Sequence, residues 1–115
     1  MSHAVSPDDL RAAAIAYGNT PFLLYSSRGS ARVNHVAVEL AAGSDQVVVR
    51  GFGRGVAKVL TPELSLSLLW PPHEADGFSL IADGTGVLRA EGSGDDGVLV
   101  LTISGAVLHR PAPTA

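Results

Sequence analysis

Leu64-Ser65-Leu66-Ser67-Leu68-Leu69-Trp70 alternates apolar and hydroxyl side chains and then runs into Pro71-Pro72. A period of two belongs to a strand with one face in a core and the other toward solvent, and proline cannot continue a hydrogen-bonded ladder. Wound as a helix, the same residues would scatter serines through the apolar stripe. One half-buried strand is not stable alone, so the chain must supply further strands beside it and a layer to cover its leucine face.

The rest of the chain supplies both. From Pro21 onward, β-branched and aliphatic runs are punctuated by Gly, Asp and Ser, which is strand-and-turn chemistry. Phe22 to Ser26 and Arg32 to Leu40 flank Ser27-Arg28-Gly29-Ser30, where the glycine can take the positive φ of a hairpin turn. Gln46 to Arg50 gives a third strand and Leu64 to Trp70 the fourth. Phe78 to Asp83 and Gly86 to Glu91 read as one long strand bent at Asp83-Gly84-Thr85-Gly86, and Val98 to His109 as the last. Two short helices complete the set. Ser6-Pro7-Asp8-Asp9 joins an N-cap hydroxyl, a proline at the first helical position and first-turn carboxylates, so a helix should run to about Tyr17 before Gly18-Asn19. Val56 to Leu60, between strands three and four, suits one or two helical turns ended by Thr61-Pro62.

A chain of 115 residues is long enough for one core and too short for two, so residues 1–115 form a single domain, with 1–5 and 111–115 expected as loose termini. The fold class is mainly β. Six mostly antiparallel strands bury an interior most economically by curling into a small barrel, which also removes exposed edges. A sandwich shows the same local alternation.

The formal charge is −3 and the eight basic residues are scattered, so no basic stripe awaits nucleic acid. With no Cys there is no disulfide, thiolate nucleophile or sulfur-ligated metal. No leader-like segment opens the chain and no apolar run reaches the roughly 20 residues that span a bilayer, so no membrane partner is expected and the cytoplasm is the default location.

Arg50-Gly51-Phe52-Gly53-Arg54-Gly55-Val56-Ala57-Lys58 is the most informative stretch for chemistry. Its glycines let backbone amides approach a ligand, and Arg54 and Lys58, four residues apart, share a helical face. The stretch reads either as a phosphate or other anion site or as a glycine-rich loop with two solvated cations. It matches neither the dinucleotide fingerprint nor the P-loop. His35, His73 and His109 are too widely spaced to form a metal motif. His35 reads as a structural histidine, Trp70 as core, and Asp83, Asp95 and Asp96 as turn residues. No serine sits in a nucleophile elbow.

The ordered phrases Arg32-Val33-Asn34-His35-Val36-Ala37-Val38, Gly53-Arg54-Gly55-Val56-Ala57-Lys58 with Thr61-Pro62, Ser65-Leu66-Ser67-Leu68-Leu69-Trp70, and Ala106-Val107-Leu108-His109-Arg110-Pro111 resemble the pyridoxamine 5′-phosphate oxidase-like FMN-binding split barrels. The resemblance runs from about Pro21 to Pro111 and implies a six-stranded antiparallel split β-barrel with an N-terminal helix and a short helix between strands three and four. It further implies a homodimer that binds FMN, or in some branches a deazaflavin or haem, in a cleft at the subunit interface. Through it, Gly53, Arg54 and Lys58 match the loop that grips the flavin phosphate. Val48, Val49, Arg50 and Gly51 match the strand along the isoalloxazine, while Asn34 and His35 match a strand lining the same cleft. The implied function is an FMN-dependent oxidoreductase acting on a small molecule. The alternative is a cofactor-free, haem-binding or deazaflavin-binding dimeric barrel serving as a ligand-binding module. The chain ends near Ala115 without the C-terminal Arg/His motif of true pyridoxamine 5′-phosphate oxidases, so that particular activity is not expected.

Overall fold

The computed structural model describes residues 2–40, 44–52, 64–89 and 98–111. Among these, the order is β1 (Ser2–Val5), a 3-10 turn (Pro7–Asp9), α1 (Leu10–Ile15), β2 (Phe22–Ser27), β3 (Ser30–His35), β4 (Ala37–Leu40), β5 (Gln46–Arg50), β6 (Leu64–Trp70), β7 (Ser79–Arg89) and β8 (Val98–His109). The expected helix at Val56 to Leu60 lies outside the described residues.

All strand pairs are antiparallel, and the sheet runs β3-β2-β6-β7-β8-β5-β4. Its two edge strands, β3 and β4, are consecutive parts of one segment interrupted only at Val36. That segment bonds on both sides. Val36 N–H donates to the Pro21 carbonyl (3.1 Å) and Val38 N–H to the Asn19 carbonyl (2.9 Å), extending the β2 edge, while β4 pairs with β5 from Ala37↔Arg50 to Leu40↔Val47. The sheet therefore curls until both edges meet on the same stretch of chain. The result is a mainly β split barrel of six staves, one of them β3 and β4 together, with the core inside.

Two features depart from the sequence reading. Ser2–Val5, expected to be loose, is a strand paired with Ala106 to His109, because β8 at 12 residues outruns β5 and leaves its far end open. The first helix is also shorter than expected. Ser6 does cap it, accepting from Asp9 N–H (3.3 Å), but a 3-10 turn precedes only six α-helical residues, and the chain turns at Gly18, φ +98°.

Alternation sorts the sheet cleanly. Leu66, Leu68 and Trp70 of β6 face inward with Leu23, Val38, Val49, Leu80, Leu99 and Leu101, all buried, while Ser65, Ser67 and Leu69 face outward. Leu10 and Ala14 of α1 close one end of this core. Three polar contacts hold that cover in place. Trp70 Nε1 donates to the Gly18 carbonyl (2.9 Å), Tyr17 Oη to Phe78 O (2.8 Å) and His73 Nε2 to Ala16 O (2.8 Å), so the helix end is tied to β6 and to the connection that follows it.

The expected bend in the long fifth strand is a β-bulge. Asp83 faces Gly105 but Gly84 faces Ile103, leaving Ser104 as the extra residue. Here Gly84 packs directly on backbone, since a Cβ there would lie 2.2 Å from Thr102 O. At Gly105 the same atom would meet nothing within 4 Å. Gly84→Ala should therefore cost about 2–4 kcal/mol in urea unfolding, as overpacking against backbone does, and Gly105→Ala about 0.5 kcal/mol or less. Equal losses would remove the packing argument.

Candidate functional site

Among the described residues the backbone ladder between β4 and β5 ends at Arg50. Gly51 takes φ +76°, a left-handed conformation that breaks the ladder to the β3–β4 segment after Arg50. Continued regularly, the strand would have placed Phe52 beside His35. Instead the Asn34 side chain bridges the gap, its Nδ2 donating to the Phe52 carbonyl at 2.5 Å and contacting Tyr25 Oη at 3.5 Å. A side-chain amide thus replaces the backbone ladder. Phe52 itself is buried in the core, so the bond holds the chain against the wall just before the glycine-rich loop leaves it.

Register places the neighbours of this clasp. The β2–β3 turn is Arg28-Gly29, φ 52° and 79°, the two positive values of a two-residue hairpin whose twist suits the strands. It sets Leu23 opposite Asn34 and Tyr25 opposite Arg32, all on the inward face. Tyr25 and Asn34 are half-buried and Arg32 is exposed. Among the described residues Arg32 makes no hydrogen bond or ion pair, and Asn34 Oδ1 accepts no hydrogen bond. Tyr25, Arg32 and Asn34 thus share the inward face beside this opening in the hydrogen-bond ladder, and offer a phenol, a guanidinium and a carboxamide with donors and an acceptor to spare among the described residues.

The residues singled out in the sequence divide between two faces. Asn34 and Gly51 meet at the opening, and Val49 lies in the core opposite Val38. His35, Val48 and Arg50 face outward. The His35 ring stacks on Phe22 (4.8 Å between centroids) and its Nε2 donates to Thr20 O (2.9 Å), a satisfied structural role. Arg50 Nε lies 3.8 Å from Glu39 Oε1, and both side chains are exposed, an arrangement that adds little stability. Gly53, Arg54 and Lys58 lie outside the described residues. Tyr25, Arg32 and Phe52 were not anticipated; the signal for the first two was the two-residue turn, which fixes their pairing once it is placed at Arg28-Gly29.

The other imidazoles belong to separate elements. His73 holds the helix end, and His109 Nδ1 lies 3.0 Å from Ser2 Oγ on β1. Among the described residues no three His, Asp or Glu side chains are grouped to hold a metal.

The chain is 35% identical over 125 aligned residues to Uncharacterized protein Mb0449c of Mycobacterium bovis, and equally to Uncharacterized protein MT0457 of Mycobacterium tuberculosis. Each alignment covers 93% of this chain and 86% of the relative. No protein-family model and no solved structure matches the chain.

Asn34→Ala leaves the Phe52 carbonyl without its donor and should cost about 1–2 kcal/mol. Arg32→Ala, at an exposed position with no partner among the described residues, should change stability by no more than about 0.5 kcal/mol. Urea unfolding of both variants checks the pair, and similar values would deny Asn34 its closing role.

Proposed function

The chain belongs to the same family as the two mycobacterial proteins, and we propose that it is a homodimeric flavin-binding split-barrel protein that uses FMN as an oxidoreductase on a small molecule. The observation that supports this reading is the break in the ladder beside Gly51, where Asn34 reaches the Phe52 carbonyl just before the glycine-rich loop and Tyr25 and Arg32 lie on the same face of β2 and β3. The donor set suits the group. The pyrimidine edge of an isoalloxazine presents an acceptor, an N–H donor and a second acceptor in sequence. Asn34 Oδ1 is an unused acceptor, and the Arg32 guanidinium and Tyr25 hydroxyl supply donors.

In this reading Asn34 orients the ring edge while it keeps the wall closed, and Arg32 balances negative charge that gathers on the ring. Arg54 and Lys58 hold the phosphate by charge-assisted hydrogen bonds. Bound FMN supplies hydride transfer, and the protein's part is to bind, orient and shield it. The described residues include no helix long and apolar enough to cross a membrane. A cytoplasmic location belongs to the same proposal.

The homodimer rests on the outward face. Phe22, Leu69, Ile81 and Val107 face one another in a single row across four strands, and Val33 beside them is 57% exposed. A second copy is the partner that gives such a band a symmetric, self-complementary cover.

Titration with FMN, followed by flavin fluorescence, should show saturable quenching. The Arg54→Ala/Lys58→Ala double variant should bind at least about tenfold more weakly, given the strength of charge-assisted bonds to phosphate. Parallel titrations with a deazaflavin and with haem separate the related cofactors, and binding of none of the three would leave a cofactor-free ligand-binding barrel. Light scattering should give twice the 11.8 kDa chain mass; a monomer at micromolar concentration would count against the interfacial cleft.

A further inference from the structure

A second concavity lies away from the opening, between α1 and β4. It has a volume of about 310 Å³ and is lined by Arg11, Ala14, Ile15, Gly18, Asn19, Val38 and Leu40. Its existence follows from the short helix. The six residues of α1 bury Leu10 and Ala14 against the core, and the chain turns away at Gly18, φ +98°, without extending over β4. Val38 and Leu40, two apart on the inward face of β4, are left as one wall.

Arg11 and Ile15, four apart, share the helical face that forms the other wall. Ile15 is 68% exposed, an unusual position for a large aliphatic side chain, and Ala14 and Val38 form a buried apolar floor. Arg11 makes no ion pair or hydrogen bond among the described residues. No ion pair joins it to Asp8, Asp9 or Glu39 among the described residues. Asp9 Oδ2 accepts from Ser6 Oγ (2.9 Å), and Glu39 faces the opposite side of β4, toward Arg50.

We propose that this groove binds a small amphiphilic carboxylate, its aliphatic body over Ala14, Ile15, Val38 and Leu40 and its carboxylate on Arg11 with the Asn19 amide beside it. The charge of the rim selects an anion, and the apolar floor selects a hydrocarbon body. The volume lies at the low end of ligand pockets, about 300–1,000 Å³, and so limits the ligand to a short chain. The inference is independent of the flavin reading, because the groove shares no residue with the opening at Gly51.

The probe is decanoate, with decanol and decylamine as neutral and cationic counterparts of the same length. Decanoate should produce saturable methyl shifts confined to Ile15, Val38 and Leu40 in NMR spectra, and bind more tightly than either counterpart. Arg11→Glu should weaken decanoate roughly tenfold to a hundredfold, the value of one charge-assisted contact, and leave decanol unchanged. Both side chains are exposed, so Arg11→Glu and Ile15→Ser should fold normally and keep any FMN binding of the parent. Equal affinity for the three probes, no saturable shift, or shifts that survive Arg11→Glu would overturn the proposal. So would a concentration-dependent rise in mass abolished by Ile15→Ser, which would give the groove to a second copy.

Discussion

Everything in this fold depends on one segment, Ser30 to Leu40, whose first part is hydrogen-bonded to one end of the sheet and whose last part is hydrogen-bonded to the other. On one side it pairs with β2 and then with Pro21 and Asn19; on the other it pairs with β5. An open sheet of this order would expose two edges and one apolar face. Sharing a single segment joins the two ends of the sheet over Val36 to Leu40 and wraps the apolar face around a common interior. The core is consequently continuous from Leu23 through Leu68 and Leu80 to Leu99 and Val49. Val36, where the ladder changes sides, is buried, which is why the segment bends there without fraying.

Closure of this kind is uneven. Seven register pairs join β6 to β7, and β7 and β8 stay paired along nearly their whole length, so that side of the barrel is a regular wall with one bulge. Among the described residues the opposite side is held by four pairs between β4 and β5, two backbone bonds near Pro21 and one side-chain bond from Asn34. Free energies of local opening follow the density of such contacts. Among the described residues the side with fewest is the one from which the glycine-rich loop departs, and the half-buried Tyr25 and Asn34 lie beside it.

Much of this was legible in the sequence because periodicity reports faces directly. The Leu-Ser alternation of β6, the bend at Asp83-Gly84 and the Ser6 cap each rest on local chemistry that the tertiary structure does not override. What was not legible depends on partners distant in the chain. Ser2–Val5 is a strand only because β8 is longer than β5 can cover, and Ser30–Leu40 is two strands only because its neighbours change at Val36. The faces of the candidate site residues depend on strand parity. Asn34 and His35 were grouped as one lining, yet consecutive residues of a strand point to opposite faces. The structure sends one to the opening and stacks the other on Phe22 outside.

In the proposed reading, that parity lets one residue serve both the fold and ligand binding. Asn34 spends its amide hydrogens on Phe52 and Tyr25, and these bonds fix the orientation of the whole carboxamide. Its oxygen is then an acceptor held in place with no further loss of rotamer freedom on binding, the condition under which a single hydrogen bond gives the most affinity. An aspartate has the same size but no hydrogens to give, and leucine has neither donor nor acceptor. Of the side chains that fit the position, asparagine is the one that both closes the wall and leaves an oriented acceptor at the opening.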